Sequence, residues 1–208
     1  MPQREITYLR DKATKERLLE AGLRLFAQRG FRRTTVGDIE ELAGLAPRSG
    51  AMYKHFANKR ELLAAAVERH LHEVETIRNV LDLMPLGDLR AELMLLARWI
   101  LADLDRNREL FLVFEKEGDN LADLRDRYYE DVGEFGYRIG AEFLRRALDA
   151  AKADIDPEVL VTVTMNALVN QRRCEWTFGR KPLGLDDGQL VEGVVEIVMR
   201  FATDDRTP

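Results

Sequence analysis

Glycine, proline and helix-capping residues divide the first sixty residues into short helical segments. The first segment carries apolar residues at positions i, i+3, i+4, i+7 and i+8 of one helix face: Leu18, Ala21, Gly22, Leu25 and Phe26. Thr14 is a candidate start for this helix, and Gly30 is a candidate left-handed stop. These breaks limit the first sixty residues to short helices that pack against one another.

The next two segments are shorter still. Thr35 and Asp38 have the spacing of a capping box, and Gly44 can end the helix that they begin. Proline suits the first helical position, so we expect Pro47 to open a short helix that runs to His55. A further capping residue then begins a long helix near residue 59. Three short helical units in about 45 residues are typical of a helix-turn-helix.

Later breakers predict helices throughout the rest of the chain. The expected ranges are about 88–104, 108–117, 121–152, 157–178 and 186–202. Residues 159–164 have strand propensity, but the apolar pattern continues well beyond a proline start, so we assign them to a helix. The sequence therefore predicts an all-α fold, with a three-helix helix-turn-helix domain at 10–60 and a larger helical domain at 61–204.

Charge is distributed unevenly along the chain. Residues 1–60 hold 13 of the 32 Lys and Arg and 7 of the 37 Asp and Glu, a net charge of +6, whereas the other 148 residues carry a net charge of −11. A basic end on an acidic body favours a polyanion-binding surface, although an ordinary bias of solvated charge gives the same pattern. One cysteine, Cys174, excludes an internal disulfide and fits a reducing cytoplasm. We find no secretion signal and no membrane-spanning run.

A helix that enters the major groove must offer hydrogen-bond donors and small residues on its groove side. Arg48, Ser49, Gly50 and Ala51 suit that side, and the apolar Met52 and Phe56 can anchor the other side in the core. The start of the following helix adds a lysine and free backbone N–H groups, which is a natural phosphate site.

Several stretches of this domain resemble, in order, the DNA-binding domain of TetR-family regulators. These are Phe31–Ile39 with its paired threonines, Ala43-Gly44-Leu45, Met52–Phe56 with a Tyr-x-His-Phe pattern, and Asn58–Leu63. In two features the chain differs from the most common form of the motif. The segment from Gly44 to Tyr53 is two residues longer, and Ala46-Pro47 replaces the usual Ser or Thr cap of the recognition helix.

The resemblance implies roles for individual residues. Arg48, Ser49 and Ala51 read bases, and Thr35 contacts a phosphate. Four further residues contact or lie beside the phosphate backbone: Tyr53, Lys54, His55 and Lys59. Packing inside the domain is the alternative for Tyr53 and His55. The full predicted DNA-binding set is Thr35, Arg48, Ser49, Gly50, Ala51, Tyr53, Lys54, His55 and Lys59.

The resemblance also implies a C-terminal domain that dimerises through its last two large helices and holds an effector between the middle ones. The predicted dimer interface, for which packing inside one chain is the alternative, comprises Val159, Leu160, Val163, Ala167, Leu190, Val191, Val194, Val195 and Val198. The predicted effector pocket, whose aromatic residues could instead be plain core, comprises Trp99, Phe111, Phe114, Glu115, Tyr128, Phe135, Met165, Asn166 and Trp176.

These features together predict a cytoplasmic, homodimeric transcriptional repressor, associated with the nucleoid when bound to DNA. It would bind a palindromic duplex operator and be released by a small, mostly apolar effector. An activator of the same architecture and a non-specific DNA-binding protein are the alternatives. The chain contains no nucleophile motif, phosphate loop or metal-ligand spacing, so we expect no enzyme activity, no cofactor, no metal and no membrane partner.

Overall fold

The structure, a computed structural model, describes residues 2–81 and 87–202. These residues are almost entirely helical and contain no strand, which confirms the predicted all-α class. The helices are α1 (Pro2–Arg29), α2 (Val36–Leu42), α3 (Lys59–Leu81), α4 (Leu89–Arg106), α5 (Arg108–Glu117), α6 (Ala122–Tyr128), α7 (Phe135–Ala151), α8 (Pro157–Phe178) and α9 (Asp187–Ala202).

The chain packs as two compact units. Residues up to 72 together with 107–128 form the first unit, and residues 73–106 together with 129 onward form the second. The predicted boundary after residue 60 divides the chain by function rather than by packing, and it stays a prediction. Besides the predicted N-terminal domain, the first packing unit contains the early part of α3 and the whole of α5 and α6.

The first unit is built around the apolar face of α1. Leu18 and Phe26 are fully buried, together with Ile39 of α2 and Leu62 of α3. A Cβ atom on Gly22 would lie 2.7 Å from Leu62 Cδ2, so glycine permits the close approach of α1 and α3. Apolar periodicity thus correctly predicted this core.

The start of α1 differs from the prediction. The helix begins at Pro2 rather than near Thr14, whose hydroxyl donates a hydrogen bond to the Arg10 carbonyl within the helix. Proline is favourable at the first helical position, and the residues that follow it contain no glycine or second proline before residue 22. Thr14 is a residue type that often caps helices, but here it lies inside α1 and does not mark the helix start.

The second unit contains α4, α7, α8 and α9. Its core includes Leu101, Leu144, Leu168 and Val195, one from each of these helices. Residues 159–164 are helical as predicted, since Asp156 accepts a hydrogen bond from the Glu158 N–H (2.8 Å) and Pro157 opens α8. A proline start and a cap outweigh the strand propensity of those residues.

The predicted helix at about 121–152 is divided in the structure. A 3-10 turn covers Gly118–Leu121, α6 follows, and a π-helical segment at Tyr129–Glu134 precedes α7. Gly133 lies within the π segment and Gly136 just beyond it, and glycine lowers the cost of departing from α geometry.

Within the described ranges, no helix combines the length and the apolar character needed to cross a membrane.

Candidate nucleic-acid interface

The N-terminus of α2 is closed by the predicted capping box. The Thr35 hydroxyl accepts a hydrogen bond from the Asp38 N–H (3.2 Å), and Asp38 Oδ2 accepts one from the Thr35 N–H (2.9 Å). The hydrogen bonds from Thr35 hold the pKa of Asp38 below its ordinary value of 3.8. Thr35 is exposed at the surface, as its predicted phosphate contact requires.

The end of α2 forms a Schellman motif. Gly44, at φ 73°, donates its N–H to the Glu41 carbonyl (3.0 Å), and Leu45 donates its N–H to the Glu40 carbonyl (2.9 Å). The prediction that Gly44 terminates this helix is confirmed. The chain then turns sharply into the segment that carries most of the predicted DNA-binding residues.

The predicted recognition helix at Pro47–His55 is wrong. Only Met52–Lys54 is helical, as a short 3-10 turn. Ser49 donates its N–H to the Ala46 carbonyl (3.2 Å) in a tight turn, and Arg48 and Gly50 have φ values of 59° and 75°. Two left-handed residues interrupt right-handed helical hydrogen bonding, so the segment forms a structure that we call the recognition turn, residues 46–55.

The recognition turn has one inner and one outer side. Met52 (0% exposed) and Phe56 (3% exposed), which follows the turn, anchor it in the core, as predicted. The outer side carries four exposed residues: Arg48, Ser49, Tyr53 and Lys54. The first and last of these are cationic. Gly50, Ala51 and His55 are half-buried. An exposed, donor-rich turn on a buried apolar base is a suitable surface for contacting a nucleic acid.

Lys59 has a structural role that the sequence did not reveal. Its ammonium donates hydrogen bonds to the carbonyls of Phe31 (2.7 Å) and Thr34 (2.6 Å) and lies 4.7 Å from the Phe31 ring centroid. Partial burial lowers the pKa of this ammonium. Because Lys has three donors, a phosphate contact and this anchoring of the α1–α2 loop are compatible.

A second residue that the sequence analysis missed is Glu40. It is fully buried, and its two carboxylate oxygens accept hydrogen bonds from backbone N–H groups of the recognition turn. The available signal was its position, four residues after Val36 and three before Ala43, which places a charged residue on the inward face of α2.

The predicted effector residues are divided between the two packing units. In the first unit, Phe114 and Tyr128 form an aromatic contact at 5.0 Å between ring centroids, and the Tyr128 hydroxyl lies 3.1 Å from His70 Nδ1. Phe111 and Glu115 also belong to this unit. The second unit holds the rest: Trp99, Phe135, Met165, Asn166 and Trp176.

The second unit contains a surface groove of about 490 Å³ between α7 and α8. Phe135 is the predicted effector residue that lines it, with Arg138, Arg145, Glu158 and Val161 among its neighbours. Asn166 accepts a hydrogen bond from the Tyr137 hydroxyl (2.8 Å). Burial raises the pKa of Tyr137, a further groove-lining residue, above its ordinary value.

The predicted dimer residues fall into two groups. Packing against helices of the same chain buries five of them: Leu160, Val191, Val194, Val195 and Val198. Leu190 is half-buried against that core. Val159, Val163 and Ala167 are exposed along α8. The alternative of packing inside one chain therefore describes most of the predicted set, and only the exposed group can meet a partner.

No cluster of three or more potential metal-ligating side chains occurs in residues 2–81 and 87–202.

Comparison with known proteins finds sequence matches in the N-terminal part of the chain. Residues 18–66 match the family described as bacterial regulatory proteins of the TetR family. The HTH-type transcriptional regulator TtgR of Pseudomonas putida is 40% identical over 85 residues, covering 39% of this chain and 40% of TtgR. The repressor KstR2 of Mycobacterium tuberculosis is 50% identical over 46 residues, or 22% of each chain. The matched segments thus span less than half the length of these curated relatives.

The likeness of fold extends over most of the chain. A crystal structure of a transcriptional regulator from Aquifex aeolicus superimposes with a TM-score of 0.65 at 23% identity, covering 90% of this chain and 98% of the other. The N-terminal segment is thus similar to the DNA-binding segment of TetR-family regulators, and the chain as a whole shares the helical fold of the Aquifex aeolicus protein.

Proposed function

We propose that the protein is a sequence-specific transcriptional repressor that binds a pseudo-palindromic operator as a homodimer. The observation that carries this proposal is the recognition turn, whose exposed Arg48, Ser49 and Tyr53 stand on a base anchored by the fully buried Met52. The turn lies inside the segment that matches the TetR DNA-binding family. Base edges in the major groove are read by such donors, and phosphates by the cations around them.

The proposed dimer forms through exposed apolar residues of α8 and α9. Val159 (54% exposed), Val163 (57%) and Phe178 (69%) follow one face of α8, and Ile197 (44%) and Phe201 (39%) follow one face of α9. Exposed apolar residues aligned on adjacent helices favour a four-helix contact with a twofold partner. This interface replaces the buried valines of the sequence-based set.

The proposed effector is a small molecule with a substantial apolar part. The groove between α7 and α8 has a volume within the range of small-molecule sites, and Phe135 and Val161 give it an apolar wall. An effector can weaken operator binding only by its different affinity for the DNA-bound and free states of the protein. The expected result is derepression of the regulated genes.

The test is selection of bound fragments from random duplex DNA by the purified protein, followed by sequencing. The proposal predicts enrichment of an inverted repeat with half-sites about one helical turn apart. Enrichment of a single half-site would contradict the dimeric reading. Salt-sensitive binding with no enriched sequence would contradict specific repression and support the non-specific alternative.

The effector part of the proposal has its own test. Small aromatic and aliphatic compounds are screened for loss of binding to the selected operator, and the active ones are retested on the variant Phe135→Ala. A compound that releases the operator from the wild type and loses potency on the variant supports the groove. Release with equal potency on both proteins would place the effector elsewhere.

A further inference from the structure

The recognition turn cannot hold itself in place by helical hydrogen bonds. Arg48 and Gly50 within it have left-handed φ values of 59° and 75°. Backbone N–H groups that leave regular structure at a packed surface need other acceptors. The structure shows which residue supplies them.

Glu40 accepts hydrogen bonds from two N–H groups of this segment. Its Oε2 lies 3.1 Å from the Ser49 nitrogen, which it shares as an acceptor with the Ala46 carbonyl, and its Oε1 lies 3.0 Å from the Met52 nitrogen. The residue is 0% exposed. Both oxygens of one buried carboxylate are therefore used to tie the recognition turn to α2, with charge-assisted hydrogen bonds that are stronger than neutral ones.

The backbone of Glu40 fixes the other end of the same connection. Its carbonyl accepts the N–H of Leu45 at 2.9 Å, which closes the Schellman motif at the end of α2. One residue thus determines both where the chain leaves α2 and where it returns to the core at Met52. The path between these points has little freedom left.

The strained residue in that path is Arg48. At φ 59° a residue with a Cβ atom is strained relative to right-handed geometry. Strain of this kind persists where the surroundings determine the backbone, and it is concentrated at functional sites. Arg48 Cγ lies 3.4 Å from the position that a Cβ on Gly37 would occupy, so the side chain is placed beside the N-terminal turn of α2.

Burial of a carboxylate carries a desolvation cost that an apolar residue would avoid. The hydrogen bonds that Glu40 accepts from the recognition turn offset this cost, and they connect its burial directly to the backbone of that turn. We propose that Glu40 is a positioning residue that sets the base preference of the protein by fixing the backbone from Ser49 to Met52 and, with it, the direction of Arg48. The inference rests on the proposed DNA-binding function.

The test compares the wild type with Glu40→Gln and with the matched control Glu41→Gln. Gln keeps the size of Glu40 but offers one oxygen where two N–H groups need acceptors, whereas Glu41 is exposed. Affinity for the selected operator and for a scrambled duplex of equal length is measured at one salt concentration. Glu40→Gln is expected to lower the ratio of these affinities by about tenfold with scrambled binding unchanged, and Glu41→Gln to leave it unaltered.

The outcomes separate the inference from the function on which it rests. A wild type that shows no preference for any sequence contradicts the proposed function. A wild type with a clear preference that Glu40→Gln retains in full overturns the positioning role alone. Equal loss of operator and scrambled binding in Glu40→Gln also overturns it, since that pattern reports a general loss of fold.

Amide exchange in the wild-type protein gives a readout that does not depend on a variant. The inference predicts that the Met52 amide proton, which is donated to Glu40 Oε1, exchanges at least tenfold more slowly than the amide proton of the exposed Arg48. Fast exchange of the Met52 amide in the folded protein would overturn the inference even if Glu40→Gln fails to fold.

Discussion

Arg172 of α8 and Asp187 of α9 form a two-point ion pair. Nη1 lies 2.8 Å from Oδ1 and Nη2 lies 2.7 Å from Oδ2, while the Arg172 side chain is only 4% exposed. Arg172 Nε also lies 2.8 Å from Asp105 Oδ1 at the end of α4, and Lys181 Nζ lies 2.7 Å from Asp187 Oδ1. A single buried guanidinium therefore joins three helices of the second unit.

Replacement of Asp187 by Ala should lower the free energy of unfolding by about 2 kcal/mol, the range for lost hydrogen bonds to a charged group. The buried Arg172 keeps Asp105, which limits the loss. Denaturant titration measures the change, and Asp154→Ala, at an exposed position of the same unit, serves as the control. Equal stability of Asp187→Ala and wild type would show that the pair contributes nothing net.

The same pair predicts a dependence of stability on pH. Hydrogen bonds from Arg172 hold the pKa of Asp187 well below its ordinary value of 3.8, so the folded protein binds this proton less readily than the unfolded chain. The stabilisation is complete above the unfolded pKa and is lost as pH falls toward the folded one. The difference in thermal midpoint between wild type and Asp187→Asn should therefore stay constant from pH 7 to about pH 5 and shrink as the pH falls below about 4. An undiminished difference at low pH would contradict the assignment.

Arg48→Gly should separate stability from DNA binding. Glycine adopts φ 59° without steric cost, so the variant is expected to gain about 1 kcal/mol of stability. Loss of the guanidinium should lower operator affinity by roughly tenfold. Arg48→Ala is the matched control, because it removes the same side chain but keeps the Cβ atom and the strain. A glycine variant that binds the operator as well as wild type would exclude Arg48 from recognition.

Lys59→Met should loosen the loop between α1 and α2. The variant keeps the aliphatic chain but leaves the carbonyls of Phe31 and Thr34 without their ammonium donor, which is expected to cost about 2 kcal/mol of unfolding free energy. The control variant Lys54→Met, at an exposed position, should leave stability unchanged and reduce DNA affinity. Thermal unfolding of both variants provides the measurement, and two equal midpoints would argue against the anchoring role.

Val163→Glu should convert the proposed dimer into a monomer. It introduces a charge into the exposed apolar face of α8, where the proposed interface would bury it without a partner. Ala102→Glu, at an exposed position of α4, adds the same charge outside that face. Sedimentation equilibrium is expected to give a monomer for the first variant and a dimer for the second. A Val163→Glu protein that remains dimeric would move the interface away from α8.

Local signals in the sequence predicted most of the helices. The Thr35–Asp38 box, Gly44 and the Asp156-Pro157 start each act through hydrogen bonds or dihedral limits of neighbouring residues, so their positions can be read from the chain. The recognition turn could not be predicted in this way, because a proline such as Pro47 is as compatible with a turn as with the start of a helix. Its backbone N–H groups at Ser49 and Met52 donate to Glu40, which lies 9 and 12 residues earlier in the chain.

Long-range packing also limited the prediction of sites. The valines of α9 have the periodicity of any apolar helix face, and only the placement of α4 and α7 shows that this face is buried within the chain. Lys59 was predicted from its charge at a helix start, whereas its two carbonyl partners lie 25 and 28 residues earlier. Sequence patterns identified most of the helices but not the direction in which each face points.

The most direct test of sequence-specific recognition is the ratio of affinities for the selected operator and a scrambled duplex of the same length, measured at physiological salt. Specific regulators exceed non-specific binding by about 10³-fold or more. A ratio of that size for the wild type would establish that the protein reads DNA sequence. A ratio near one, with both affinities falling together as salt is raised, would show that it binds only the phosphate backbone.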